Sequence, residues 1–287
     1  MDKYLELNKL ENESDIFKGI SQIFLQDNVV CGLVFTLAVC FNNWIMGIAL
    51  LVATIFGTLT AVLLKLDKNE INQGLYGFNA ALVGVAMVLF FKPTIIVWIL
   101  IVIGAVLSTL CYAYFLKKKI PIFTLPFIII TWIIYFSFKP FLTPATLQIL
   151  PQHSSLDFIA ILSKSFSQVL FQNNIWVGIV LLIALAWSSK VAALFGLIGA
   201  ILSAILACFF GFTIQEINDG LLGYNAVLCA IVFADWNYKA LTLAIFSIML
   251  SFVCLVLLKY FNFLPLTFPF VLASILTLKI KNKFVVL

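Results

Sequence analysis

Arginine is absent, histidine occurs once, and charged side chains make up only 10% of the 287 residues. A soluble globular domain is nearer a quarter charged, so this scarcity excludes one. With 64% hydrophobic residues and a mean hydropathy of +1.17, the chain reads as an integral membrane protein. The single His153 lies in the polar stretch LPQHSSLDF and reads as a solvated side chain. Cys31, Cys40, Cys111, Cys208, Cys229 and Cys254 fall in apolar runs with no CxxC pair, and read as small packing residues rather than redox or metal groups. No Ser/His/Asp, Cys/His or metal-spaced cluster is present, so no enzyme activity and no cofactor are expected. The first 27 residues carry Asp2, Glu6, Glu11, Glu13 and Asp15 and have no apolar h-region. No cleavable signal peptide is therefore expected.

What the chain has instead is long uncharged apolar runs. A hydrocarbon core of about 30 Å takes roughly 20 helical residues, and the runs lack the period-2 alternation of a membrane barrel. They predict an all-α polytopic fold with helices at 28–45, 47–65, 74–91, 93–116 and 121–138, then 174–187, 191–210, 220–235, 238–259 and 264–280. The loop at 139–165 between these two groups of five contains Pro140, Pro144 and Pro151.

The two groups match in sequence as well as in number. INQGLYGFNA at 71–80 recurs as INDGLLGYNA at 217–226, and eight of fourteen positions are identical between 71–84 and 217–230. SQIFLQDN at 21–28 aligns with SQVLFQNN at 167–174 at the same offset of 146, and TLPF at 124–127 with TFPF at 267–270 at an offset of 143. Hydrophobicity alone does not reproduce Gly, Asn and Gln in register, so the chain reads as a duplication shortened by three residues late in the second half. The expected organisation is a cytoplasmic segment at 1–13, a first repeat at 14–138, an external linker at 139–162 and a second repeat at 163–287. Five spans per repeat is an odd number, which inverts the second repeat and puts a solute path at the junction of the two. Threading ten spans leaves thirteen lysines on the side of the termini and Lys92, Lys139, Lys164 and Lys259 opposite. By the positive-inside rule both termini are then cytoplasmic. The same bias accounts for the net charge of +5, so no nucleic-acid partner is implied.

Segments 14–27 and 163–173 are too short and polar to cross a bilayer. Gln22 with Gln26, and Gln168 with Gln172, lie four apart on one helical face. One reading is an interfacial amphipathic helix. The recurrence in both halves favours a pair of re-entrant half-helices, whose backbone ends at membrane depth only where protein or a wet cavity satisfies it. Gly74, Gly77, Gly220 and Gly223 let backbones approach closely. Asn79 and Asn225 place amides inside apolar runs, where an unpaired polar group costs roughly 2–7 kcal/mol. Phe78 with Leu82, and Tyr224 with Leu228, each offer an aromatic and aliphatic wall.

The paired GL(Y/L)G(F/Y)NAxL, SQ and TxPF motifs resemble those of the urea transporter family, over residues 17 to 280. The resemblance implies a homotrimer in the plasma membrane, the inner membrane of a bacterium, each protomer passing urea down its gradient through its own pore. Gln22 and Gln168 then resemble pore-facing carboxamides, and Thr124 and Thr267 the central hydroxyls. Leu25, Phe78, Leu82, Val169, Tyr224 and Leu228 resemble the lining of a narrow slot. Leu25 stands where an aromatic is often found, and Tyr224 where phenylalanine is usual.

Urea is flat and neutral, with four N–H donors and one carbonyl. A row of carbonyl and glutamine oxygens accepts its N–H groups in turn while apolar walls hold the plate edge-on, and each step binds weakly. An ion-coupled carrier normally uses acids inside the membrane, whereas Asp27, Asp67, Glu70, Glu216, Asp219 and Asp235 fall at predicted span ends. A channel for another small solute, such as a short amide, ammonia or water, stays open as the alternative; ammonia conduction favours intramembrane histidines, which this chain lacks.

Overall fold

The computed structural model describes residues 14–146 and 155–285; the expected segment at 1–13, and His153 in the linker, lie outside them. The regular elements among the described residues are helices, beside one isolated bridge between Phe91 and Pro144. The chain divides into two compact units between residues 148 and 149. The first holds α1 (Ser14–Phe24), α2 (Val29–Asn42), α3 (Trp44–Leu63), α4 (Lys68–Asn72), α5 (Phe78–Phe90), α6 (Ile95–Lys117) and α7 (Leu125–Phe138). The second repeats the order: α8 (Phe158–Leu170), α9 (Ile175–Ser188), α10 (Lys190–Phe209), α11 (Ile214–Asn218), α12 (Tyr224–Val232), α13 (Tyr238–Tyr260) and α14 (Phe268–Val285).

The few polar residues between the apolar runs cut them into helices. Asn28 accepts from the Cys31 amide at 3.0 Å and starts α2; Asn174 accepts from Trp176 and Val177 and starts α9. Asn43 caps α3 and its counterpart Ser189 caps α10, both from an extended backbone that ends the preceding helix. A short polar side chain at this position satisfies an orphan amide and contributes about 1 kcal/mol. Asp157 likewise accepts from Ala160 at 3.0 Å, so α8 begins at Phe158 rather than at 163, inside what the sequence marks as linker.

The helices stand close to their expected positions, and by length and apolar composition four of those described qualify as spans alone, or six with each bent pair taken as one. Four, α3, α6, α10 and α13, are long and apolar enough to cross a membrane alone. The pairs α1 with α2 and α8 with α9 each qualify only together, bent by 78° and 79°. Helix α5 has 13 residues, about 20 Å at 1.5 Å per residue, and α12 has 9. Their surroundings explain the shortness. Residues 78 to 88 of α5 are all buried, and α12 is buried over 224 to 231. A helix walled by protein need not span the hydrocarbon, because its ends are satisfied internally. The outer helices face the other way: Ile95, Ile99, Ile103 and Leu107 form an exposed stripe along α6. Four large apolar side chains so placed need an apolar solvent, which a bilayer supplies. Of the cysteines, Cys31 and Cys229 pack inside as expected, whereas Cys208 is exposed on α10.

Backbone strain reproduces the duplication more sharply than helix lengths do. Every described residue with positive φ has a counterpart: Leu25 with Phe171, Lys65 with Gly211, Gly74 with Gly220, Lys119 with Asn262, Phe123 with Leu266. The first three pairs are 146 apart and the last two 143 apart. Helices α6 and α13 already start 143 apart, at Ile95 and Tyr238. The three missing residues therefore fall where α12 ends early and turns into α13.

Candidate functional site

In each unit three pieces of non-helical backbone meet: the tip of the bent helix pair, the glycine turn ahead of the short buried helix, and the TxPF turn. Each tip is closed in the same way. Helix α1 tightens to a 3-10 turn at Gln22–Phe24, and Leu25 takes φ 59 while its amide donates to the Gln22 carbonyl. The Gln26 amide reaches back to the Ser21 carbonyl at 3.2 Å; in the second unit Gln172 does the same to Ser167 at 3.0 Å, past Phe171 at φ 58. This double closure satisfies the last carbonyls of a helix, and glycine usually occupies its left-handed position. Here Leu25 and Phe171 hold it at a cost of roughly 1–2 kcal/mol.

The two glutamines at each tip have different duties. Gln26 Nε2 donates to the Phe24 and Leu25 carbonyls and Gln172 Nε2 to the Leu170 carbonyl, so this pair stitches the tip to itself. Gln22 Nε2 donates instead across to the Gln73 carbonyl, and Gln168 Nε2 to the Asp219 carbonyl, each at 2.9 Å. With its nitrogen tied down, a carboxamide turns its oxygen, a pure acceptor, to the other side.

The glycine turns make this reach possible. At Gly74 a Cβ would stand 2.3 Å from the Gly19 nitrogen, and at Gly220 2.4 Å from the Lys164 carbonyl carbon. At Gly77 it would meet Thr54, and at Gly223 the Ser165 hydroxyl at 2.1 Å. Two glycines outside the paired motifs, not singled out by the sequence, sit closer still. A Cβ on Gly32 would lie 1.7 Å from the Phe17 carbonyl oxygen, and one on Gly178 1.9 Å from that of Ser163, where α2 and α9 cross the bent helices. They too are 146 apart, so the offset that exposed the duplication contains the signal.

Asn79 and Asn225 tie in the third piece. Asn79 accepts from the Phe127 amide at 3.0 Å and donates to the Phe123 carbonyl at 3.3 Å. Asn225 accepts from Phe270 at 3.1 Å and donates to Leu266 at 3.2 Å. Each amide thus both donates and accepts in holding the start of α7 or α14, with Thr124 and Thr267 buried beside it. Phe78 and Leu82 are buried on α5, Phe78 edge-on to Tyr112 with ring centres 5.1 Å apart. Tyr224 and Leu228 are their buried counterparts on α12. The Tyr224 hydroxyl donates to the Leu266 carbonyl at 2.6 Å, so the departure from phenylalanine is absorbed by the scaffold.

Val169 and Leu25 are not equivalent positions. Val169 corresponds to Ile23, and both are buried; the partner of Leu25 is Phe171, which is half-buried like it. The aromatic absent at Leu25 is therefore present at the second tip.

A second difference concerns acids. Asp219, placed by the sequence at a span end, is buried, because the turn after α11 lies under α8. Its carboxylate binds Lys164 Nζ at 2.9 Å and Gln215 Nε2 at 2.7 Å. Glu216, partly exposed, is bound by Lys259 and Thr213. Burial by itself raises its carboxyl, but these hydrogen bonds outweigh that and hold it below its ordinary value. Among the described residues no group of three His, Cys, Asp or Glu side chains is arranged to hold a metal.

Residues 14–282 match the family model described as "Urea transporter". Among curated proteins the chain is similar to Urea transporter 1 of Rattus norvegicus, 28% identical over 265 residues, covering 86% of this chain and 68% of the relative. Urea transporter 1 of Ovis aries is 28% identical over 295 residues, and that of Mus musculus 28% over 294, in both cases covering 93% of this chain and 77% of the relative.

Proposed function

The chain belongs to the urea transporter family and carries urea across a membrane, and we propose from this premise that it does so passively, as a channel. One observation carries the reading: in each unit a carboxamide is tied by its nitrogen to a backbone carbonyl, Gln22 to Gln73 and Gln168 to Asp219. This leaves an acceptor oxygen beside strained, apolar tip residues. Urea leaving water must find acceptors for four N–H groups, each costing about 1–3 kcal/mol if unmet. A fixed acceptor that holds no proton of its own meets that need without tight binding. Phe78, Leu82, Tyr224 and Leu228 supply apolar faces suited to a plate, and Thr124 and Thr267 hydroxyls suited to its carbonyl.

The buried Asp219 supports this reading over an ion-coupled carrier. A carboxylate already held by a lysine ammonium and a glutamine amide is fixed in charge, whereas a coupling acid must bind and release its ion. Purified protein in vesicles is expected to speed urea equilibration well above that of protein-free vesicles, with ammonia permeation unchanged. Faster ammonia than urea movement would replace urea as the permeant.

The orientation follows from the lysines, with both termini in the cytoplasm of a multi-pass inner-membrane protein, and the trimer follows from the family resemblance. Phe141, 81% exposed in the loop after α7, gives the check on orientation. A cysteine replacing it in an otherwise cysteine-free chain is expected to react with an impermeant thiol reagent from outside the cell. Reaction only from within would reverse the assignment.

A further inference from the structure

The two units carry the same three kinds of side chain at three equivalent positions, but in a different order. The first unit has Lys18, Asp27 and Gln73; 146 residues on, the second has Lys164, Asn173 and Asp219. Acid and amide have exchanged places around a common lysine. In the first unit Lys18 Nζ pairs with Asp27 at 3.0 Å, both side chains partly exposed at 26% and 45%. In the second, Lys164 reaches Asp219 at 2.9 Å, with exposures of 8% and 6%. Asn173, where the first unit keeps its acid, also bonds Asp219, and its own Oδ1 is buried without a hydrogen-bond partner.

Stability does not explain the second arrangement. Taking two charges out of water costs several kcal/mol per ion, and a buried pair is often no better than an apolar one. The first unit forms the same turn around Gln73 with no charge at that position. What the exchange changes is the hold on the carboxamide. Lys164 and Gln168 are four apart on one face of α8, and both bind residue 219, the lysine its carboxylate and the glutamine its carbonyl. Gln215 and Asn173 brace the same carboxylate. In the first unit Gln22 alone makes the corresponding contact, to the Gln73 carbonyl, and Lys18 is drawn away to Asp27.

We propose that Lys164 and Asp219 are positioning residues that clamp the Gln168 acceptor, making the second unit the rigid, discriminating acceptor site and the first the compliant one. The inference rests on the reading of Gln22 and Gln168 as urea acceptors. A rigid acceptor distinguishes urea from an amide that needs the oxygen slightly displaced, such as N-methylurea, whereas a compliant acceptor takes both.

The test is to transplant one arrangement into the other unit. N173D/D219Q rebuilds the first unit's lysine pairing in the second, and D27N/Q73D builds the clamp into the first. Both keep every charge. Fluxes of urea and N-methylurea are measured in vesicles for the wild type and for each variant that elutes as folded protein. The ratio of urea to N-methylurea flux is expected to fall by roughly threefold to tenfold in N173D/D219Q and to rise in D27N/Q73D. A ratio unmoved in every folded variant overturns the clamp. So does loss of folding in both variants, which makes the pairings structural only. The wild-type arm is separate: if it conducts no urea, the channel reading fails irrespective of the variants.

Discussion

Replacing Gln168 with leucine is expected to cut urea flux in vesicles by roughly tenfold to a hundredfold, and replacing Gln22 to do the same, while the protein stays folded. The size follows from the solute. An N–H group that leaves water and meets no acceptor costs about 1–3 kcal/mol, and each 1.36 kcal/mol added to a barrier slows passage tenfold. The fold should survive because each side chain gives up a single hydrogen bond, from Nε2 to the carbonyl of Gln73 or Asp219, and leaving that carbonyl unpaired costs only about 1–3 kcal/mol. Gln26 and Gln172 serve as contrasts, since their amides bind the tip's own carbonyls. Leucine there is expected to lower thermal stability more than flux. Normal urea flux in both the Gln22 and Gln168 variants, with folded protein confirmed by chromatography, would remove these oxygens from the path.

Alanine at Gly220 is expected to destabilise the fold strongly. The residue sits at φ 68, and the new Cβ would lie 2.4 Å from the Lys164 carbonyl carbon and 2.5 Å from the Ser165 nitrogen. Backbone cannot step aside as a flexible side chain can. The left-handed conformation costs roughly 1–2 kcal/mol and overpacking roughly 1–3 more, so a loss of about 2–5 kcal/mol is expected, read as a lower melting temperature in detergent. Gly211 separates the two terms. Its φ is 72, yet nothing lies within 4 Å of a Cβ there, and Lys65 already fills the equivalent place in the first unit. Alanine at Gly211 should therefore cost only the conformational part. Equal losses at Gly211 and Gly220 would mean that the approach to Lys164 carries no weight.

The sequence made legible what repetition and period can carry. Helix positions could be read from the apolar runs because residues such as Asn28, Asn43, Asn174 and Ser189 interrupt them and cap the next helix. Asn79 and Asn225 could be singled out because an amide in an apolar run must be paired, and each is found bridging two segments. The lengths of α5 and α12 were not legible, since composition cannot say whether an apolar helix is walled by lipid or by protein. Nor was the pairing of Leu25 with Phe171. A left-handed leucine or phenylalanine leaves no mark in composition, and Val169 has the more ordinary look of a wall residue. The burial of Asp219 was hidden for a similar reason. Position 219 comes after a short polar helix, and only the close approach of Gly220 to α8 carries it inside. Gly32 and Gly178 were readable from the 146-residue offset, but lie outside the three motifs that draw the eye.

Urea uptake into vesicles of purified protein, followed with and without imposed proton and sodium gradients, tests passive conduction most directly. The internal concentration is expected to rise quickly to the external value and stop there, at a rate unchanged by either gradient and equal in both directions. Accumulation above the external concentration, driven by either ion, would contradict it.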